Sequence, residues 1–267
     1  MTSQLYKHGR TTLIILLLIS VTLFTFVGPS HAEIVTKNLT YHHNGTELEG
    51  YLAYDDELDQ PRPGVLIVHQ WMGLGDYEKR RARQLAEIGY TAFAADVYGS
   101  DTRPTTTHEA SLASSTFRKN RSLYRKRLRV SLNTMRSLEQ TDPDNLAAIG
   151  YCFGGTGVLE LARSGAPIEA AVSFHGGLEN PHPEDAGNIT ARIQVHHGAK
   201  DPHVTQDHVL SFWNEMNKYA SVDWDLNVYS DAPHGFTESG SDAYNKRADR
   251  LSWKRMSRLF EDVFPRD

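Results

Sequence analysis

The chain has 267 residues, 39% of them hydrophobic and 23% charged, enough to bury one sizeable core. A formal net charge of −5 and the absence of any nucleic-acid motif argue against a nucleic-acid binder. Cys152 is the only cysteine, so an internal disulfide is excluded and the thiol is either free or paired between molecules.

The first 32 residues read as an export signal. Lys7 and Arg10 precede the apolar run Leu13–Val27, and Ser30-His31-Ala32 offers the small-x-small exit that a signal peptidase reads. The run falls short of the ~20 residues that span a bilayer comfortably, which favours cleavage over a retained anchor. Residues 1–32 are therefore expected to be removed. Residues 33–267 remain as one domain, periplasmic or secreted, with no lasting membrane association.

Beyond the signal, two alternating runs flank Asn44-Gly45, a strong hairpin pattern. Pro63–His69 is a continuous apolar run and reads as a buried central strand. A helix follows, capped by Asp76 and ended by Gly89, and the next strand begins at Tyr90. Residues 100–118 are polar and rich in Thr and Ser, and read as a loop or short helix. The next helix carries Leu128, Leu132, Met135 and Leu138 on one stripe. "NLAAIGY", "EAAVSFHG", "ARIQVHHG" and "DWDLNVY" are strands, and helices separate or follow them to the end of the chain. Strands alternating with helices from residue 63 predict an α/β fold: one doubly wound, mainly parallel sheet with an antiparallel hairpin at its start. Arg118–Arg129 holds seven basic residues and no acid. A binder of anions would use such a run, but the solvated face of an amphipathic helix is the expected reading.

Chemistry concentrates at "GYCFGG", where a strand meets a helix. Glycines on both sides of Cys152 suit a tight, strained turn, the geometry of a nucleophile elbow with sulfur in place of oxygen. The helix N-terminus then favours a thiolate and any developing oxyanion, and the N–H of Phe153 is one candidate oxyanion donor. Partners follow in the order acid, then histidine. Asp201 lies just past one strand end, and His234 lies in the loop after the last strand. Singly, each is an ordinary turn aspartate or loop histidine. In order, and all at strand ends, they read as a triad: Cys152 attacks a carbonyl, His234 moves the proton, and Asp201 holds the imidazole.

"GYCFGG", "HHGAKDPHV" and "APHGF", with the segment from Val65 to Gly99 upstream, resemble the dienelactone hydrolase family of α/β hydrolases. The resemblance covers roughly residue 45 to the end. It implies an α/β-hydrolase fold and a Cys152–His234–Asp201 triad that cleaves an ester or lactone. By matching positions it assigns the second oxyanion N–H to Trp71. Two positions depart from the family's usual pattern. Gln70 stands where the family has a glutamate that helps control thiol ionisation. Glu238 stands where an arginine grips the substrate's carboxylate. A carboxylate there favours a neutral or cationic ester, unless Arg103 or another loop residue restores anion binding. His175 is expected to line the pocket.

Three rival readings were weighed. A class I glutaminase would pair His182 with Glu184, but that pair falls too soon after Cys152 in chain order. A zinc site from His196, His197 and His203 fails because adjacent strand residues point to opposite faces. A binding module on a hydrolase fold should show a broken triad, whereas all three members are present. No metal or cofactor is expected. The partner expected is a small ester or lactone, and the protein is expected to act as a monomer.

Overall fold

Two antiparallel strands open the part of the chain that the computed structural model describes, residues 33–57 and 60–264. The expected signal segment lies outside the described residues. β1 (Ile34–His43) and β2 (Thr46–Asp55) pair in register around Asn44-Gly45. Both turn residues have left-handed φ, 48° and 79°, the twist that a two-residue hairpin demands. β3 (Arg62–Val68) and β4 (Thr91–Ala95) follow, joined by α1 (Asp76–Glu87). The cap of α1 is Gly75, not Asp76. The Glu78 carboxylate reaches back to the Gly75 N–H at 2.9 Å, so the acid three residues on does the capping.

The polar stretch after residue 100 is more ordered than its composition suggests. Thr107–Lys119 forms helix α2. The Thr106 hydroxyl accepts from Glu109 N–H, and Glu109 accepts from Thr106 N–H in return. Asn120 ends α2 and caps α3 (Arg121–Arg136) by accepting from the Leu123 N–H at 3.0 Å. β5 (Thr141–Tyr151), α4 (Phe153–Arg163), β6 (Ala170–Phe174), a 3-10 turn (Pro183–Asn188), β7 (Arg192–Gly198), α5 (Gln206–Tyr219), β8 (Trp224–Tyr229) and α6 (Lys246–Val263) complete the fold.

The eight strands form one sheet in the order β1-β2-β4-β3-β5-β6-β7-β8, parallel from β4 to β8. Period-two alternation sends neighbouring side chains to opposite faces. Leu66 and Val68 join a core with Leu128 and Leu132 of α3 and Phe212 of α5. Val65 and Ile67 join a second core with Leu85 of α1 and Phe260 of α6. Helices thus cover both faces, α1 and α6 on one, α3 and α5 on the other. From β3 the chain first moves to β4 on one side and later returns to β5 on the other. The reversal opens a crevice at the carboxyl ends of β3 and β5, where ligands bind in open α/β sheets. This is the doubly wound sheet with an N-terminal hairpin that the sequence predicts.

Candidate active site

Cys152 sits in that crevice, between β5 and α4, with φ 53° and ψ −111°. A left-handed φ on a residue with a Cβ is strained and must be held by its surroundings. Here its own N–H is held by the Phe174 carbonyl at 3.0 Å and His175 Nδ1 at 3.1 Å. Gly150 and Gly154 make the elbow possible. A Cβ on Gly150 would collide with the Gly154 carbonyl, and one on Gly154 with the Val68 carbonyl. Turn, helix and β3 therefore pack backbone against backbone beneath the sulfur.

The loops after β7 and β8 bring the partners. The Lys200 N–H bonds to the Ala232 carbonyl at 3.0 Å, so the two loops are tied to each other. His234 Nε2 lies 3.0 Å from Cys152 Sγ, and its Nδ1 lies 2.7 Å from Asp201 Oδ2. The other Asp201 oxygen accepts from the N–H groups of His203 and Val204, at 2.8 and 3.1 Å. Burial opposes ionisation of Asp201, but His234 and these N–H donors hold its carboxyl below the usual range. Burial also opposes a charged His234. Its bonds to Asp201 and Cys152 outweigh that and push it up to about 10. The His182–Glu184 pair is solvent-exposed in the 3-10 segment, so His234 and not His182 meets the thiol.

The two expected oxyanion donors are rigidly mounted. The Phe153 ring stacks on Tyr124 at 4.6 Å, and the Tyr124 hydroxyl donates to the Phe153 carbonyl at 3.0 Å. The Tyr98 hydroxyl donates to the Trp71 carbonyl at 2.9 Å. Among the described residues, neither the Phe153 nor the Trp71 N–H meets an acceptor. A donor at the start of α4 and one on the β3 loop are thus free for a ligand oxygen.

Two residues that sequence reasoning passed over hold the β3 loop. The Glu78 carboxylate accepts from Gln70 N–H at 3.2 Å and from Gly75 N–H, so it clasps the loop at both ends. Burial pushes its carboxyl up to about 7 against these two bonds. His69 Nδ1 donates to the Gln70 carbonyl at 2.6 Å, while its Nε2 accepts from Val97 N–H. The Glu three residues after Gly75 was the visible signal for Glu78. Nothing local marks His69.

Other expected positions fall differently. His175 does not line the cavity. It is buried under the elbow, accepts from Cys152 N–H and contacts Thr237 Oγ1 at 2.8 Å. Burial, with the neighbouring His234 charge, pulls its pKa well below the usual histidine value. Gln70 Nε2 donates to Glu238 at 3.3 Å, so these side chains are partners of each other. Arg103 is spent on the buried Asp96 carboxylate and the Gly99 carbonyl, and does not reach the site. The cavity over Cys152 and His234, about 490 Å³, is walled instead by Trp71, Arg118, Arg121, Glu179, His203 and Val204. Two guanidiniums against one carboxylate set its charge. Glu238, on which the expectation of a neutral or cationic ester rested, contacts Gln70 and is not among the residues that line this cavity.

A family model for the dienelactone hydrolase family matches residues 48–264. The chain belongs to the dienelactone hydrolase family. It is accordingly a hydrolase. It is 30% identical over 228 residues to a protein of Bradyrhizobium sp. named "Probable 2-oxo-3-(5-oxofuran-2-ylidene)propanoate lactonase", covering 78% of this chain and 88% of that one. Among solved structures, it resembles one named m3DLH with a TM-score of 0.83 and 36% identity, covering 86% of this chain and 99% of that one. A dienelactone hydrolase-like promiscuous phosphotriesterase from metagenomic libraries gives a TM-score of 0.81 and 34% identity, covering 87% and 99%. Relative to the family's usual pattern, an amide–carboxylate contact, Gln70–Glu238, stands where a glutamate and an arginine are found. No described helix is long and apolar enough to cross a membrane. Among the described residues, no group of three or more His, Cys, Asp or Glu is placed to hold a metal ion.

Proposed function

We propose that this dienelactone hydrolase family member is an exported cysteine hydrolase that opens an ester or lactone through a thioester intermediate. The observation that carries the reading is the continuous contact Cys152–His234–Asp201, at 3.0 and 2.7 Å, on a strained elbow. The thiol proton resides on His234 Nε2, which Asp201 keeps charged. Cys152 Sγ attacks the carbonyl carbon, and the carbonyl oxygen takes the negative charge between the N–H groups of Phe153 and Trp71. Collapse expels the alkoxide, which takes the proton from His234. In a lactone the alkoxide remains tethered to the acyl group. Neutral His234 then draws a proton from water, hydroxide attacks the thioester, and the acid leaves as the thiolate–imidazolium pair is restored. Trp71 and Phe153 act through backbone, so their side-chain identity matters less than the loop that aims them.

Hydrolysis of p-nitrophenyl acetate tests this. C152A is expected to lower kcat/KM by at least about 10³-fold, and iodoacetamide to inactivate the native enzyme. Unchanged turnover in C152A would overturn the cysteine mechanism, and no ester turnover under any condition would favour a binding module. Export rests on the N-terminal sequence pattern. N-terminal sequencing of the protein from its source should begin at Glu33, and a start at Met1 would overturn that part.

A further inference from the structure

The chain bends at Asn120, where α2 gives way to α3. Beside the triad cavity this corner forms a second cavity of about 740 Å³, lined by Lys119, Lys126 and His182 among others. Arg118 and Arg121 line both cavities, so the two meet at these guanidiniums.

The seven basic residues from Arg118 to Arg129 divide into two groups. Three belong to the fold. Arg125 binds Glu160 and Asp185, Arg127 donates to His43 and the Val97 carbonyl, and Arg129 donates to Ser164. The other four, Arg118, Lys119, Arg121 and Lys126, line the second cavity together with Arg125, and among the described residues no carboxylate pairs with these four. The nearby carboxylates, Glu184 and Glu179, lie 3.7 Å from His182 and His208, and neither makes an ion pair with the four cations. Arg121 Nη1 is buried and, among the described residues, meets no acceptor. A buried guanidinium donor left unpaired is costly, and an anionic oxygen is its natural partner. Four cations without a carboxylate partner repel one another, and the fold keeps them in a cavity that adjoins the one holding Cys152.

We propose that the substrate is a polyanionic ester or lactone. Its reacting carbonyl lies at Cys152, and its further carboxylate or phosphate groups extend over Arg118, Lys119, Arg121 and Lys126. The proposal rests on the hydrolase reading above for the bond that is cleaved. The cationic groove is a separate claim about binding.

Two probe esters test it: neutral p-nitrophenyl acetate and the dianionic mono-p-nitrophenyl ester of tricarballylic acid, each scaled to its uncatalysed hydrolysis rate. The dianion is expected to be preferred by about tenfold or more at low salt, and K119E/K126E should reduce that ratio by about tenfold. K254E, a charge reversal on the helix layer of the opposite face, should leave the ratio in place. A native enzyme without preference, or a ratio unmoved by K119E/K126E, overturns the proposal. If neither ester turns over, the cysteine mechanism fails and the groove is read by calorimetry with tetragalacturonate and tripolyphosphate. Binding that weakens about tenfold in K119E/K126E supports the groove, and the tighter of the two ligands identifies carboxylate or phosphate as its group. Absent binding, or binding indifferent to the substitutions, overturns it.

Discussion

His234 makes contact with both Cys152 and Asp201, and in the proposed mechanism its protonation sets the pH range of the reaction. Raised to about 10, it stays protonated through neutrality and loses its proton only as the pH climbs through that value. The kcat/KM profile should therefore keep its plateau into alkaline solution and fall near pH 10. D201N removes the charge that holds the proton, and should move that alkaline limb to lower pH. Glu78 titrates near 7, and only its ionised form accepts both loop N–H groups with full charge. An inflection near pH 7 is expected in the native profile and should be missing in E78Q. The sign for stability is the reverse. A carboxyl raised in the fold stabilises fully below its unfolded value, and that contribution disappears as pH rises through about 7. Thermal melts should therefore shift in favour of E78Q as the pH is raised across that range.

The elbow is the element on which the proposed chemistry depends. Its helix starts at Phe153 because Cys152 takes a left-handed φ that breaks β5 and aims the first turn of α4 at the sulfur. Close backbone packing around Gly150 and Gly154 leaves no room for a side chain. G150A should cost about 3 kcal/mol or more in urea unfolding, because backbone rather than a flexible side chain must move. A stability within experimental error of the native protein would show the elbow more pliable than its geometry implies. The α2–α3 corner shows a different kind of local control. Thr106 with Glu109 starts α2, and Asn120 ends it and starts α3, within a stretch that its Thr and Ser content marks as loop or short helix. Capping side chains outweigh average composition there, since each satisfies backbone groups that would otherwise be orphaned.

At the scale of the whole molecule, a buried ion network fastens the helix layer that begins at Cys152. Arg163 of α4 donates to Glu215 of α5 at 2.8 and 2.9 Å and to Glu160 at 3.1 Å, while Arg125 of α3 ties Glu160 to Asp185. Glu160, Arg163 and Glu215 are all nearly inaccessible. R163A leaves the buried Glu215 without a cation, with only Asn180 Nδ2 still donating to it, while Glu160 keeps Arg125. It should cost about 3–5 kcal/mol in equilibrium unfolding, whereas a loss below about 1 kcal/mol would mean that water reaches the network.

The sequence by itself determined the sheet, the elbow and which three residues, Cys152, Asp201 and His234, meet at it. Alternation, helical stripes, Gly-flanked Cys152, and Asp201 and His234 in chain order are short-range patterns that each stretch carries alone. Only the tertiary structure decided which groups surround them. Glu78 clasps the oxyanion loop, His175 lies under the elbow, Arg103 is consumed by Asp96, and Arg118 and Arg121 line the cavity. The basic run looks uniform as a sequence, yet three of its cations are bound within the fold, while the other four line the second cavity and pair with no carboxylate among the described residues. Pairing across tens of residues depends on how helices settle on the sheet, and no local pattern of charge or polarity records which partner a side chain will meet.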